Sequence, residues 1–328
     1  MIGGAAMPSS SAVLTTIPVG MEPRQVTIAP DGKRAYVSLS DLSSDSSRGA
    51  IGVIDTGSNT LVATVAVGIL PGGVVVAPDG RHAYVPNIQN GGVVSVIDTA
   101  TNAVADTIAV SVPTSRPLEA AITPDGRELY VAINNASPSD QRGAVTVVDT
   151  EQRAVTANVV LTPCEDPAAT AITPDGRFVW VLNIEGGGPA VFDTTTHEMT
   201  FPLRTDVACG RMAFTPEGAF AYLFPAFADT GEAFEVATHK FVAAFDTFGG
   251  NTTDVAVTPD GRHVYVTQRP GESAGGRALV IDTTTQTRVD PPIDLPRSAD
   301  GLAFMPDGLT AYVTDRSSRE VHVIAVRP

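Results

Sequence analysis

The sequence predicts an all-β chain, a seven-bladed β-propeller with four antiparallel strands per blade. Three observations carry this expectation. Pro-Asp-Gly or its near copy starts at Pro30, Pro78, Pro124, Pro174, Pro216, Pro259 and Pro306, at intervals of 48, 46, 50, 42, 43 and 47 residues. A period of that size marks a repeat architecture. Each copy is followed by an aromatic–aliphatic pair such as Tyr84-Val85 or Trp180-Val181, the composition of a strand. A second turn then ends an apolar run, as in Ile54-Asp55-Thr56, Ile97-Asp98-Thr99, Val148-Asp149-Thr150, Phe192-Asp193-Thr194 and Ile281-Asp282-Thr283. Nothing between these signals has a helical period of useful length.

The second repeat gives the elements in order. Gly73–Ala77 is an apolar run of strand length (strand a). Pro78–Arg81 is a turn, with Gly for positive φ and Asp for side-chain-to-backbone bonding. Ala83-Tyr84-Val85 is strand b, Val93–Ile97 strand c, Asp98–Asn102 a turn and Ala103–Val110 strand d. Applied along the chain, this places blades at about 24–66, 72–110, 118–161, 168–203, 210–245 and 253–293 within one domain, 1–328. The last, 300–326, stops after its third strand, whereas Ala12–Pro18 reads as an orphan strand d. The N-terminal strand, 12–19, is therefore expected to complete blade 7 and remove an open edge.

On the repeats Asp-Gly-x-x-Ala-Tyr-Val and Val-Ile-Asp-Thr-x-Thr-Asn, residues 12–328 resemble the YVTN family of seven-bladed β-propellers. The resemblance implies the fold. It implies no single activity, because that superfamily includes binding proteins, lactonases and a streptogramin B lyase.

Composition narrows the partners. Hydrophobic residues make up 43% and charged residues 17%, as in a folded globular chain. A net charge of −15 and the absence of a basic run argue against nucleic acid and against an anionic membrane surface. No apolar stretch is long enough to span a bilayer. Met1–Ser11 has neither positive charge nor an apolar run of signal length, so a cytoplasmic monomer is expected; an exported chain without its signal would read alike. Cys164 and Cys209 fall in neighbouring d–a connections, where buried thiols, a disulfide and a reactive thiol all remain open readings.

Function is expected where the repeats differ. In a propeller strand a lines the central channel. The a–b and c–d turns share one face, and the d–a and b–c connections share the other. The recurring Pro-Asp-Gly and Asp-Thr turns read as turn chemistry rather than as a ring of carboxylates. On the other face, the position entering strand a varies: Gln25, Gly73, Glu119, Ala169, Arg211, Asp254 and Gly301. Unlike polar groups converging from a rigid scaffold are the usual make-up of a small-ligand site. Glu119 and Asp254 are candidate acid–base groups, and Arg211 a stabiliser of developing negative charge. Arg24, Gln25, Asn87, Asn183, Gln268, Asp300 and Asp315 are candidate ligand contacts. Blade 5 departs most from the repeat, and Phe224, Phe227 and Phe248 read either as an aromatic pocket wall or as filling of the blade 5–6 interface.

Long b–c loops in blades 1, 3 and 6 (40–49, 134–143 and 269–276) read as functional rims. His82, His197, His239 and His263 fall near turns of the repeated face, and His322 in a strand. A His relay or a His-bound transition metal at the mouth is therefore not expected, which weakens the likeness to the lyase. Carboxylates and loop carbonyls suit Mg²⁺ or Ca²⁺, but no binding motif for either is present and no cofactor is expected. Three functions remain open: recognition of a small organic molecule at the mouth; a lyase, hydrolase or cyclase with carboxylate and Arg chemistry there; or a protein-interaction scaffold using the rim loops.

Overall fold

The computed structural model describes residues 12–41, 48–89, 92–110, 115–134, 143–161, 167–183, 188–202, 205, 209–225, 229–249, 251–269 and 275–326. They form seven four-stranded antiparallel sheets, each running a-b-c-d from its innermost strand outward. The innermost strands are Glu22–Ile28, Val75–Val76, Arg116–Ile122, Pro167–Ile172, Cys209–Phe214, Asn251–Val257 and Ala299–Phe304. Each touches its neighbours on both sides, so the ring is closed. The outer strand of blade 7 is Val13–Pro18, paired antiparallel with Glu320–Ala325 in the register Ile17↔Val321. The orphan N-terminal strand thus closes the propeller.

Seven apolar clusters hold the ring, each shared by two adjacent blades. Tyr130, Val145 and Val147 of blade 3 pack with Val179, Val181 and Phe192 of blade 4, for example. The aromatic of each strand b lies at such an interface: Tyr36, Tyr84, Tyr130, Trp180, Tyr222, Tyr265 and Tyr312 are all almost fully buried. Some of the phenols bond across the seam. Tyr222 Oη donates to Gln286 Oε1 of the next blade at 3.0 Å, and Tyr312 Oη donates to Asn59 Oδ1.

The two repeated turns are one device. The Asp of Pro-Asp-Gly accepts the backbone N–H two residues on, as in Asp31 from Lys33 and Asp79 from Arg81, both at 2.9 Å. The Thr of Asp-Thr donates to the carbonyl of the Pro-Asp-Gly glycine in the same blade: Thr56 to Gly32, Thr99 to Gly80, Thr150 to Gly126, Thr194 to Gly176 and Thr283 to Gly261, at 2.5–2.7 Å. Six c–d turns end in a left-handed residue, Asn59, Asn102, Arg153, His197, His239 and Gln286, at φ of 52–57°. Asn and His tolerate that region better than most residues. This accounts for His197 and His239, whose rings lie on Tyr130 and Trp180 of the preceding blades, with centroids 6.0 and 5.6 Å apart.

The glycines of this face have a second duty. Gly176 has φ +74°, and a Cβ there would stand 3.1 Å from Cδ of Pro124 in the preceding blade. Gly126 meets Pro78 in the same way, and Gly218 meets Pro174. Gly176→Ala should therefore cost about 1–2 kcal/mol through the left-handed backbone alone, with the Pro124 contact adding to it. Urea unfolding checks this, read as a lower midpoint at unchanged slope. An unchanged midpoint would mean that this face does not hold the blades.

Candidate functional site

Every resolved inner strand but the short one of blade 2 carries a β-bulge where it enters the channel. Register shifts fall between Pro23 and Val26, Pro117 and Ala120, Pro167 and Ala169, Cys209 and Arg211, Thr252 and Asp254, and Ala299 and Leu302. A bulge sets two residues against one and re-aims a side chain. Its freed backbone groups find hydroxyls from strand b. Gln25 N donates to Ser38 Oγ at 3.0 Å, Gly301 N donates to Thr314 Oγ1 at 2.7 Å, and Thr314 Oγ1 donates onward to Arg24 O at 2.6 Å. In this way the repeat's own geometry turns Gln25, Glu119, Arg211 and Asp254 into the channel. In blade 2, Gly72 and Gly73 shorten strand a to Val75–Val76, and a Cβ on Gly72 would stand 2.2 Å from Leu118 O.

These side chains form a belt. Gln25 Nε2 donates to Glu119 Oε1 at 2.6 Å, reaching from blade 1 to blade 3. It does so across Gly73, where a Cβ would lie 2.3 Å from Gln25 Oε1. Glu119 Oε1 stands 3.5 Å from Arg211 Nη1, past Ala169 of blade 4. Arg211 Nε donates to Thr253 O at 2.8 Å. Asp254 accepts from Val255 N with one oxygen and from Leu302 N of blade 7 with the other, both at 2.9 Å. The small residues at blades 2, 4 and 7 are as informative as the polar ones, since they leave the space that the belt crosses.

Two cavities of about 240 Å³ share Gln25, Gly73, Glu119 and Arg211 in their walls, so the belt stands between them. Toward the mouth the wall adds Arg24, Pro71, Ile88, Leu118 and Asp300. Deeper in, it adds Thr27, Val75, Met212, Asp254 and Leu302. Around the mouth Arg316 pairs with Glu22 at 3.2 Å and Arg269 with Asp300 at 3.5 Å. Burial pushes the Asp254 carboxyl up to about 6, against the pull of Arg211 and of the two amides. Asp300 is also raised by burial, against Arg269, Arg316 and Arg24. Burial works against the Arg211 cation, but Glu119, Asp254 and Asp300 together hold it above its ordinary range.

Glu119, Asp254, Arg211, Arg24, Gln25 and Asp300 are therefore brought together in the channel. Asn87, Asn183, Gln268, Asp315, Phe224 and Phe248 are not. Asn87, Asn183, Gln268 and Asp315 occupy one repeated position at the end of strand b, and all are buried. Asn87 Nδ2 donates to Ser95 Oγ at 3.0 Å, and Gln268 Nε2 to Thr247 O at 3.0 Å. Asp315 caps its own turn through Ser317 N at 2.9 Å. The same position is Leu39, Ile133 and Pro225 in blades 1, 3 and 5, and it is buried there too, so burial and not side-chain type keeps it out of the channel.

Phe224 does not line the mouth. It is fully buried in the blade 5–6 cluster with Phe245, Val255 and Val266, where Gly231 leaves room for its ring. Phe248 is half exposed at φ 53° and stacks under Arg288, 3.9 Å from the ring centroid, rather than lining the channel cavities. Phe227, Cys164 and most of the long b–c loops lie outside the described residues, as does the question of a Cys164–Cys209 bond. His322 stands nearer the variable face than expected. Its Nε2 is 3.9 Å from Asp315 and 3.8 Å from Glu320, and Thr16 of the closing strand stands beside it. Leu118, Ile88 and Pro71 were not foreseen; apolar residues in variable loops give no chemical signal of their own. Among the described residues no three His, Cys, Asp or Glu side chains converge to hold a metal ion, and no helix is long and apolar enough to cross a membrane.

The chain is a seven-bladed β-propeller, and comparison with solved structures agrees. It is similar to the β-propeller domain of Myceliophteria thermophila Cps50 (Swd1), with a TM-score of 0.77 and 12% identity over 97% of this chain and 100% of that one. At that identity the likeness carries the fold alone, and 1631 matching solved chains make the fold too widespread to imply an activity. No protein-family model matches the chain, and no curated protein matches it.

Proposed function

We propose that this propeller, a relative of the YVTN-type repeat proteins, binds a small organic molecule in the mouth-side cavity. The observation that supports this is the belt. Residues at positions that vary from blade to blade, Gln25, Glu119 and Arg211, meet at the floor of a cavity whose wall adds Leu118, Ile88 and Pro71. Few, unlike polar groups beside apolar wall are what a binding pocket needs. On this reading the protein acts as a cytoplasmic monomer and needs no cofactor, nucleic acid or membrane.

The test is a small-molecule library screened by thermal shift on the wild type and on Leu118→Trp, which fills the cavity. Hits should stabilise the first and not the second. Hits that stabilise both equally would remove the mouth as the site.

A second reading, catalysis, is favoured by one observation. Asp254, pushed up to about 6, lies beside Arg211 and Glu119 in the deeper cavity wall, where it suits a general base. Under this reading the substrate reaches the deeper cavity, and Asp254→Asn abolishes its turnover while its binding survives. The scaffold reading instead requires a protein partner that Leu118→Trp leaves bound.

A further inference from the structure

We propose that the mouth-side cavity takes the carboxylate of a small organic acid, with Arg24 as its cation. This rests on the reading of the mouth as a ligand site and narrows the class of ligand.

The argument starts from pairing. Arg211, Arg269 and Arg316 each have a carboxylate partner, in Glu119, Asp300 and Glu22. Arg24, in the wall of the same cavity, has no carboxylate within ion-pair distance and donates no side-chain hydrogen bond among the described residues. Its Nε is buried and unsatisfied. Arg269 also has an unsatisfied Nε, but its Nη2 faces Asp300. Burial, above all, and the neighbouring Arg316 and Arg269 lower the Arg24 pKa, against the pull of Asp300 and Glu22, which lie near but outside ion-pair contact. A buried donor without an acceptor is costly, and a guanidinium cannot shed its charge at ordinary pH. An acceptor from outside the chain relieves both costs, and a carboxylate matches the planar fork of Arg.

The charge count and size limit the acceptor. Among the described residues Arg24 is the one arginine of this cluster without a carboxylate in ion-pair contact, so it is the cation open to a ligand, while Asp300 and Glu119 in the same wall repel a second negative charge. A monoanionic carboxylate is therefore favoured over a phosphate dianion. The cavity, about 240 Å³, holds the volume of about eight waters. Leu118, Ile88 and Pro71 suit a short apolar body behind the carboxylate.

The experiment is isothermal titration of the full chain with isovalerate and benzoate, and with isovaleramide and benzamide as neutral matches. It is run on the wild type, Arg24→Met and Leu118→Trp. At least one acid should bind the wild type, and its amide should bind about ten- to a hundredfold more weakly. Arg24→Met should lose the acid by a similar factor, and without ligand should melt no lower than the wild type. An amide that equals its acid, an acid unaffected by Arg24→Met, or no acid binding at millimolar concentration overturns the carboxylate assignment. So does a lower ligand-free melting point in Arg24→Met, which would make Arg24 a structural cation. In those cases the mouth reading stands or falls separately, on whether library hits are lost in Leu118→Trp. Acid binding that survives Leu118→Trp overturns both.

Discussion

Deletion of residues 12–19 is expected to abolish cooperative folding, leaving a chain that aggregates or melts without a transition. The strand Val13–Pro18 is the whole outer edge of blade 7, and it brings Ile17 into the core shared by blades 7 and 1. Ile17 is 2% exposed and Val19 is 4%. Burial of two such side chains contributes about 2 kcal/mol each, and the ladder to Glu320–Ala325 adds about 1 kcal/mol per hydrogen bond. That sum is comparable with the entire stability of an ordinary domain. Its loss also bares strand c of blade 7 as an unpaired edge, which invites association between chains. Circular-dichroism melting and size exclusion of the deletion variant check this. Recovery of a sharp transition on adding a peptide of residues 12–19 would attribute the defect to the missing strand. A deletion variant that melts like the full chain would refute the closure.

That closure was legible because a strand without a blade and a blade without a strand stood at opposite ends of the sequence. The channel residues were legible for a related reason: an alignment of repeats isolates Glu119, Arg211 and Asp254 as the departures. The same alignment was not carried to the end of strand b. There Asn87, Asn183, Gln268 and Asp315 share a position with Leu39, Ile133 and Pro225, and three apolar residues among seven mark it as buried. What no repeat alignment contains is the pairing. That Gln25 reaches Glu119 over Gly73 depends on ring geometry, and so does the isolation of Arg24 among paired arginines. For Phe224 the sequence left a pocket wall and the blade 5–6 interface both open, and the interface holds, because Gly231 on the neighbouring strand makes room for the ring in the core.

The second large effect concerns pH. The wild type should lose about 3 kcal/mol of stability to Asp254 as pH rises between about 4 and about 6, because a displacement of its carboxyl from 3.8 to about 6 is worth that much. The sign follows from proton counting. Above its ordinary value the unfolded chain has released this proton, while the native state keeps it until about 6. The native state then binds more protons, and stability falls with pH across that window. Asp300, also raised by burial, adds in the same direction. Turn aspartates such as Asp55, Asp98 and Asp282 are held low, chiefly by the backbone N–H groups of Ser58, Thr101 and Thr285. Their stabilisation is lost only as pH falls through their lowered values, so the overall curve mixes two signs. The difference between Asp254→Asn and the wild type isolates one group. Asn has a single acceptor oxygen for the N–H groups of Val255 and Leu302, so one of the two bonds is lost, which gives an offset independent of pH. On that offset the variant should gain about 3 kcal/mol relative to the wild type from about pH 4 to about pH 6, read from urea unfolding across the range. A difference that stays flat would mean that water in the channel solvates Asp254 fully. The acid–base role would then lose its physical basis, while the cross-blade hydrogen bond from Leu302 would still explain why a carboxylate stands there.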